Sequence, residues 1–397
     1  MNPIAPGDLA YSAKERNPVV LAFLHDQLGP ADAHRLNVDI HAADEMLSSL
    51  PWPRDQRLLH YFQSGRKMIR AIEQIAAWRF GSLGVVRAML DFACGYGRLG
   101  RWLGLHLPRE RIWSSDISAD GVAFQRERFG HHGIVSVADP AEFHCAQRFD
   151  LIFVASLFSH LPEATFGAWL ERLWTLLADG GVLVFSVHGE AIVPAGMTMP
   201  AGGILFAPES ESATLDTAQY GTTWVSEAFV HRAVRDATGG RVPVRIPRGL
   251  CDYQDLYLVT KGRASDPAAL AFDHGPQGAV DIVALETAHD LFVEGWAADN
   301  TPGSRITTVE ILLDGRIVQR CLPDKPRPEV AATLREPGDA ECGWSARVRL
   351  EAPLQRDNVL LVRATNARGS SHVLGVVPTT RAPEIEAFPA YVWRWPG

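Results

Sequence analysis

The residues with the clearest capacity for chemistry lie in Met89-Leu-Asp-Phe-Ala-Cys-Gly-Tyr-Gly-Arg-Leu-Gly100, a carboxylate and three glycines directly behind a short apolar run. Val85 to Leu90 is apolar and partly β-branched, Asp91 ends the predicted strand, and Leu99 to Leu107 reads as the helix that follows. A glycine-rich turn between strand and helix lets the backbone approach a ligand and present N–H groups to it, which is how α/β folds hold nucleoside cofactors. Gly95, Gly97 and Gly100 satisfy the dinucleotide spacing, and an acidic residue, Asp116, ends the next apolar stretch, Ile112 to Ser115. The turn alone does not name the cofactor. Gly95 and Gly97 also suit a tight turn, and Asp91 and Asp116 also suit helix N-caps.

Asp91 separates the cofactor classes. A dinucleotide site runs an apolar strand straight into the first glycine to make room for a pyrophosphate, which a carboxylate at that point repels. The same carboxylate suits the ammonium and sulfonium charges of S-adenosylmethionine.

The elements that must position these residues follow in alternation: Gly133 to Val137 and then Asp139, Phe149 to Ala155, a helix from Thr165 to Ala178, and the strand Gly180 to Val187. After a long insertion, an amphipathic helix over Glu227 to Ala237 leads to Arg241 to Ile246, a Pro/Arg/Gly turn and Asp255 to Thr260. That last pair predicts a hairpin, whose strands are antiparallel. The fold expected is therefore α/β: a Rossmann-like, mostly parallel sheet with a terminal antiparallel strand, preceded by a helical N-terminal arm and followed by an all-β sandwich.

From Tyr61 to Lys261 this ordered set resembles the class I S-adenosylmethionine-dependent methyltransferases. The resemblance implies that Asp91, Ala93, Gly95 and Gly97 surround the methionine part of the cofactor, that Asp116 accepts both ribose hydroxyls, and that Ile117 covers the adenine face. It places Asp139 near the adenine amino group, and Ala155 and Ser156 beside the reacting centre. Upstream, Tyr61-Phe-Gln-Ser-Gly-Arg66 resembles a segment that some relatives fold over the cofactor's carboxylate, which makes Tyr61 and Arg66 candidate contacts. Leu58, Phe62, Ile69 and Ile72 of the same predicted helix are spaced for burial, so packing competes with that role.

If the acceptor is a hydroxyl, a base must remove its proton. Two candidate segments follow the fourth and fifth strands, whose carboxyl ends face the ligand crevice of an open α/β sheet. They are Ser159-His160-Leu161 and His188-Gly189-Glu190, and relatives that modify surface glycans carry similar triplets at these places. His160, His188 and Glu190 are thus the catalytic candidates, with helix capping and packing as the competing role for His160. Gly221-Thr-Thr-Trp-Val-Ser226 lies in the insertion expected above the crevice, and Tyr220 and Trp224 are its candidate substrate-contacting side chains. The acceptor expected is a saccharide or glycan intermediate of bacterial envelope polysaccharide synthesis. A nicotinamide-dependent sugar-modifying oxidoreductase and a non-catalytic methyltransferase-like adapter are the rival readings.

Composition narrows the partners. The chain has 397 residues, 47% hydrophobic and 21% charged, with room for two or three domains, and its formal charge of −8 offers no footprint for nucleic acid. Five cysteines without a CxxC pair argue against a zinc site or a disulfide framework, and no spacing of His, Asp and Glu predicts a metal site. Met1 to Tyr11 lacks the basic-then-apolar order of a signal peptide, and Val19 to Leu24 is too short to span a bilayer, so a cytoplasmic protein is expected.

The domain boundaries expected are a helical arm over 1–84 with breaks at Gly29-Pro30 and Pro51-Trp-Pro53, a cofactor-binding core over 85–261, a linker over 262–279, a β-sandwich over 280–380 and an aromatic tail over 381–397. The arm is expected against the core. Short strands from Val280 to Ala364, with a turn at Asp314-Gly315, predict the sandwich. Gly295-Trp-Ala-Ala-Asp299, Arg327-Pro-Glu-Val330 and Cys342-Gly-Trp344 resemble a domain attached to enzymes of bacterial surface-polysaccharide assembly. Trp296 and Trp344 read either as core or as a sugar platform, with core favoured. The tail Phe388-Pro-Ala-Tyr-Val-Trp-Arg-Trp395 is expected to dock on its own chain or on a second subunit, giving a homo-oligomer or a contact with assembly proteins.

Overall fold

The structure, a computed structural model, describes residues 11–12, 17–209, 215–334, 341–355 and 357–379. The aromatic tail lies outside the described residues. The chain divides into two compact units, one of residues 1–12, 36–51 and 64–272, the other of 13–35, 52–63 and 273–397. Near the N-terminus, β1 (Tyr11–Ser12) pairs antiparallel with β2 (Asp39–Ile40), and the helices are α1 (Pro18–Ala33), α2 (Glu45–Ser48) and α3 (Arg54–Phe80). Asn17 caps α1 through the backbone N–H groups of Val19 and Val20, and the helix breaks at Gly29, whose φ is 75°, just before Pro30. The helical half of α3 from Ser64 onward belongs to the first unit; its start belongs to the second.

The first unit is built on β3 (Met89–Phe92), α4 (Gly100–His106), β4 (Ile112–Asp116), α5 (Ala119–Phe129), β5 (His132–Val135), β6 (Phe149–Val154), α6 (Glu163–Leu176) and β7 (Leu177–Gly189). Then come β8 (Ile204–Ala207), β9 (Thr222–Val225), α7 (Glu227–Thr238), β10 (Val244–Leu250) and β11 (Gln254–Thr260). The sheet order is β10-β11-β7-β6-β3-β4-β5. Strands β3 to β7 pair in parallel, while β11 runs antiparallel to β7 and forms a hairpin with β10. The expected closing hairpin and the mostly parallel sheet are both present. Every residue of β6 is buried, as a central strand covered on both faces requires. Leu90, Ile152, Phe166, Leu183 and Phe185 anchor the core on one side of this sheet, each worth about 1.5–3 kcal/mol of burial. Beyond the prediction, the insertion after β7 folds into a ribbon: β9 pairs in parallel with the end of β7, matching His188 to Trp224, and antiparallel with β8.

In the second unit, β12 (Pro276–Thr287), β13 (Asp290–Asp299) and β16 (Gly343–Arg349) form a three-stranded antiparallel sheet. A four-stranded antiparallel sheet has the order β15 (Arg316–Cys321), β14 (Ile306–Leu313), β17 (Val359–Asn366), β18 (Ser371–Pro378). Inward residues of both sheets, among them Val293, Ile311, Trp344, Val362 and Leu374, share one core. Asp314 and Gly315 both have positive φ, 49° and 77°, as the tight turn joining β14 to β15 demands. Helix α8 (Pro328–Leu334) and strand β18 have no counterpart in the sequence reading. Trp344 and Trp296 are buried at 0% and 8% exposure, so both serve the core and neither offers a sugar platform. The arm does not act as one piece. Asp26 of α1 forms an ion pair with Arg363 of β17, which also binds Glu310, so α1 is tied to the second unit. Cys321 and Cys342 are free thiols.

Candidate active site

The turn after β3 has the geometry its glycines require. Ala93, Gly95 and Gly97 have φ of 58°, 51° and 81°. A Cβ on Gly97 would lie 2.3 Å from the ring of Phe129, whereas nothing lies within 4 Å of one on Gly95, where the turn opens. Asp116 fixes the turn from the next strand: one carboxylate oxygen accepts the Gly95 N–H at 2.8 Å, the other the Ser118 N–H at 2.8 Å. Ile117, beside it, is 43% exposed, a large apolar side chain left at the surface next to a ribose-binding candidate. Asp139 is exposed and caps its own turn by accepting the Ala141 N–H at 2.9 Å.

Asp91 is 2% exposed, and its Oδ2 has no hydrogen-bond partner. Burial, reinforced by the charge of Asp116, pushes its carboxyl up to about 8, and Arg98 partly opposes that rise. A buried carboxylate oxygen without a donor at the mouth of a glycine turn fits a cationic ligand group, which is the test the cofactor's ammonium must pass. Tyr61 is buried, edge-on to Phe62. Arg66 lies over the Trp102 ring, 5.9 Å from its centroid, and faces Glu73 at 3.7 Å, which in turn meets His106. Its structural partners are therefore on α3 and α4.

At the other strand ends, Ser156 has a φ of 60° and donates its N–H to Ser186 Oγ at 2.8 Å. Ser186 in turn donates to Gln254 Oε1 at 2.6 Å, and Ser156 Oγ reaches the same oxygen at 3.3 Å. Gln254 Nε2 therefore faces His188 Nε2, 3.1 Å away, and must donate to it. His188 is thereby neutral with its lone pair occupied; burial, and the nearby His160, pull its pKa down to about 4. A ring held this way is a poor base. Tyr253 and Trp224 flank it with centroids 5.5 and 6.1 Å off, and Trp224 is itself only 8% exposed.

His160 is oriented oppositely. Its Nδ1 lies 2.7 Å from the Gly221 carbonyl, which only accepts, so Nδ1 carries the proton and the lone pair belongs to Nε2. The ring stacks on Tyr220 at 4.6 Å and 17°. Its segment is stitched to the insertion: Gly221 N–H to His160 O, Thr223 N–H to Ser159 O, and Thr223 Oγ1 to Leu161 O, at 2.7–2.9 Å. Glu190 is exposed at the end of β7. Gly189 leaves room for Asp255, whose Oδ2 would be 2.5 Å from an added Cβ and which holds Arg245 and the Arg248 N–H.

The structure thus gathers Ser156, His160, His188, Tyr220 and Trp224 at one end of the sheet, and Asp91, Gly95, Asp116 and Ile117 around the glycine turn. Sequence reasoning missed Ser186 of β7, and Tyr253, Gln254 and Asp255, which reach the site through a hairpin noticed only for its topology. It also missed His41, stacked on Tyr96 at 4.6 Å, and Arg101, which ties the turn to the backbone carbonyls of Asn37 and Asp39. No spacing in the sequence pairs these residues.

Residues 90–183 match the methyltransferase domain family. Over that segment, about a quarter of the chain, the sequence is thus similar to a methyltransferase domain. Over 103 residues, 26% of this chain, it is 29% identical to a malonyl-[acyl-carrier protein] O-methyltransferase of Acetivibrio thermocellus. The chain spans 36% of the length of that curated relative. Among solved structures it is similar to the 1,6-didemethyltoxoflavin-N1-methyltransferase of Burkholderia thailandensis, with 19% identity and a TM-score of 0.37 over 53% of this chain and 83% of the other. The N-methyltransferase NodS of Bradyrhizobium japonicum gives 16% identity and a TM-score of 0.31, over 49% and 87%.

Proposed function

We propose that the chain is an S-adenosylmethionine-dependent O-methyltransferase whose acceptor is a hydroxyl of a saccharide or glycan intermediate in bacterial envelope polysaccharide synthesis. The observation that carries the hydroxyl acceptor is the His160–Gly221 hydrogen bond, which fixes the tautomer able to take a proton. The half-buried rings of Tyr220 and Tyr253 near the two histidines suit a sugar's apolar face. The second unit supports the glycan reading through the sequence resemblance of its strands to domains attached to polysaccharide-assembly enzymes. In this reading 85–261 is the catalytic core, 280–380 an accessory domain for docking or glycan contact, and the protein works in the cytoplasm.

Bound at this site, the cofactor supplies a methyl group on a sulfonium, open to in-line displacement. Asp91 holds the amino-acid end, the open backbone at Gly95 lets it approach, Asp116 accepts from the ribose and Ile117 covers the adenine. His160 receives the acceptor proton at Nε2, and its imidazolium is steadied by the Gly221 carbonyl. Ser156, in its left-handed conformation, carries the β6 end past the reacting centre; Tyr220 walls the acceptor, and Trp224, buried beside His188, is packing rather than a substrate contact. Most of the acceleration then comes from alignment.

Calorimetric titration with S-adenosylhomocysteine, NAD and NADP, followed by methyl-transfer assays on nucleotide sugars and oligosaccharides, tests the proposal. Binding of the thioether alone and methyl transfer to a sugar hydroxyl are the expected results. Binding of NAD or NADP instead would restore the oxidoreductase rival. Cofactor binding with no turnover on any glycan would favour the adapter, or an acceptor of another class.

A further inference from the structure

The connection between β10 and β11 holds three residues other than glycine in the left-handed region within five positions: Arg248, Cys251 and Asp252, with φ of 52°, 54° and 60°. Such backbone persists only where its surroundings over-determine it, and it clusters at functional sites. Here the Arg248 N–H is donated to Asp255 Oδ1 at 2.8 Å, Cys251 Sγ rests on the Ser64 carbonyl of α3 at 3.6 Å, and Asp252 is ion-paired with Lys67. What this strained turn delivers is Gln254, the first residue of β11, 7% exposed.

The Gln254 amide is committed on both sides. Its oxygen accepts from Ser186 Oγ and Ser156 Oγ, and its nitrogen donates to His188. Ser186, wholly buried, also takes the Ser156 N–H, so the left-handed Ser156 is held by main chain and side chain together. The Ser156 carbonyl accepts from Ser159 Oγ at 2.7 Å, and Ser159, wholly buried, precedes His160, whose own N–H closes the turn on the Leu157 carbonyl at 2.9 Å. One amide thus reaches both histidines, His188 directly and His160 through Ser156 and Ser159. Stability alone does not call for this arrangement, because apolar groups of the same shape in place of both partners fold about as well. A fully satisfied buried network instead selects one arrangement of the strand ends.

We propose that Gln254 is a positioning residue for methyl transfer: its amide oxygen fixes the left-handed Ser156 and, through Ser159, the turn that carries His160. The inference rests on the reading of His160 as the group that takes the acceptor proton. Gln254 acts through that ring and not on the substrate, and its contact with His188 sets the tautomer of a wall residue.

The test uses the full chain, labelled with nitrogen-15 in its histidine rings and saturated with S-adenosylhomocysteine, with the signals of His160 and His188 assigned from the His160→Gln and His188→Gln variants. In the wild type both rings should be neutral Nδ1–H tautomers at neutral pH. Gln254→Met, similar in shape but without the amide, should release His188 from that tautomer and speed exchange of the His160 Nδ1–H with water about tenfold or more. Gln254→Glu keeps acceptor oxygens for the two serines but has no donor for His188, so it should change the His188 ring and leave His160 as it was. On the nucleotide sugars that the wild type methylates, kcat should fall about 10- to 100-fold in Gln254→Met and less than about fivefold in Gln254→Glu, with the Kd for S-adenosylhomocysteine within about twofold of wild type in both. Thermal melts show that each variant is folded; if Gln254→Met is not, Ser159→Ala, which cuts the same chain one link later, is read in its place. Unchanged His160 exchange in a folded Gln254→Met, or a loss of S-adenosylhomocysteine affinity as large as the loss of kcat, overturns the proposal. If the wild type methylates none of the sugars, the acceptor reading fails, and the ring spectra still decide whether Gln254 positions His160.

Discussion

The glycine turn and the acceptor end of the same sheet are built by different means. Around the turn, a single stretch from Asp91 to Asp116 supplies the cradle, its strained residues and the carboxylate that pins it. At the acceptor end, His188 gets its protonation state from Gln254, 66 residues away, and His160 from Gly221, 61 residues away. The first region is written locally and the second by long-range pairing. The lesson lies in the two histidines: both stand at the carboxyl ends of parallel strands, yet an amide donates to Nε2 of His188 and a carbonyl accepts from Nδ1 of His160.

The largest expected effect tests that contrast. His160→Gln should lower kcat by about 10²–10⁴-fold, the usual worth of a positioned base, with affinity for S-adenosylhomocysteine unchanged within about twofold. His188→Gln should lower kcat by less than about tenfold under the same assay. A collapse of turnover in the His188 variant alone would invert the comparison. Gln254→Ala, which strips partners from buried Ser186 and His188, should cost about 1–3 kcal/mol in denaturant unfolding without abolishing methyl transfer.

Asp91 provides the next test, on the cofactor side. Asp91→Asn should weaken S-adenosylhomocysteine by about 10- to 100-fold, or about 1.4–2.8 kcal/mol. Because the Asp91 carboxyl of the ligand-free protein is raised to about 8, wild-type binding should tighten as the pH rises through 8, and the Asn variant should lose that dependence. Stability moves the other way. A carboxyl raised in the folded state contributes stability that is full below its unfolded value and lost as pH rises through about 8. His188 and His131, both lowered to about 4, have the opposite sign, contributing stability above 6.5 that is lost on acidification towards 4. Thermal melts between pH 7 and 9 therefore isolate Asp91: the ligand-free wild type should lose Tm across that range and Asp91→Asn should not.

How much of this was legible follows from chain distance. The order of strands, the closing hairpin and the glycine turn all follow from patterns a few residues long, where hydrophobic run, turn residue and cap must be adjacent. The partners of the histidines depend on which strand lies beside which, and Gln254 looks in the sequence like any polar residue at the start of a hairpin strand. The ribbon of β8 and β9 was unreadable for the same reason: β9 pairs with the end of β7 across the insertion as well as with β8. Trp344 and Trp296 read as core ahead of surface, and both are buried, but which sheet buries them depends on strand pairing that no short pattern carries.

Ile117 gives the smallest and most discriminating test of the cofactor side. A large apolar side chain that is 43% exposed contributes little to folding, because much of its surface remains in water either way. An adenine ring laid on it would remove that surface from water, so the apolar contact is formed only in the complex. Ile117→Ala should therefore leave the unfolding free energy within about 0.5 kcal/mol of wild type. It should weaken S-adenosylhomocysteine by about 1 kcal/mol, roughly fivefold in Kd, for the apolar area no longer covered. The loss should add to that of Asp91→Asn, which acts at the amino-acid end of the same ligand. Calorimetry on the two variants and their double mutant then separates the ends of the cofactor: additive losses assign Ile117 and Asp91 to distant parts of one bound molecule, and a coupling above about 0.5 kcal/mol would mean that one substitution had disturbed the whole turn.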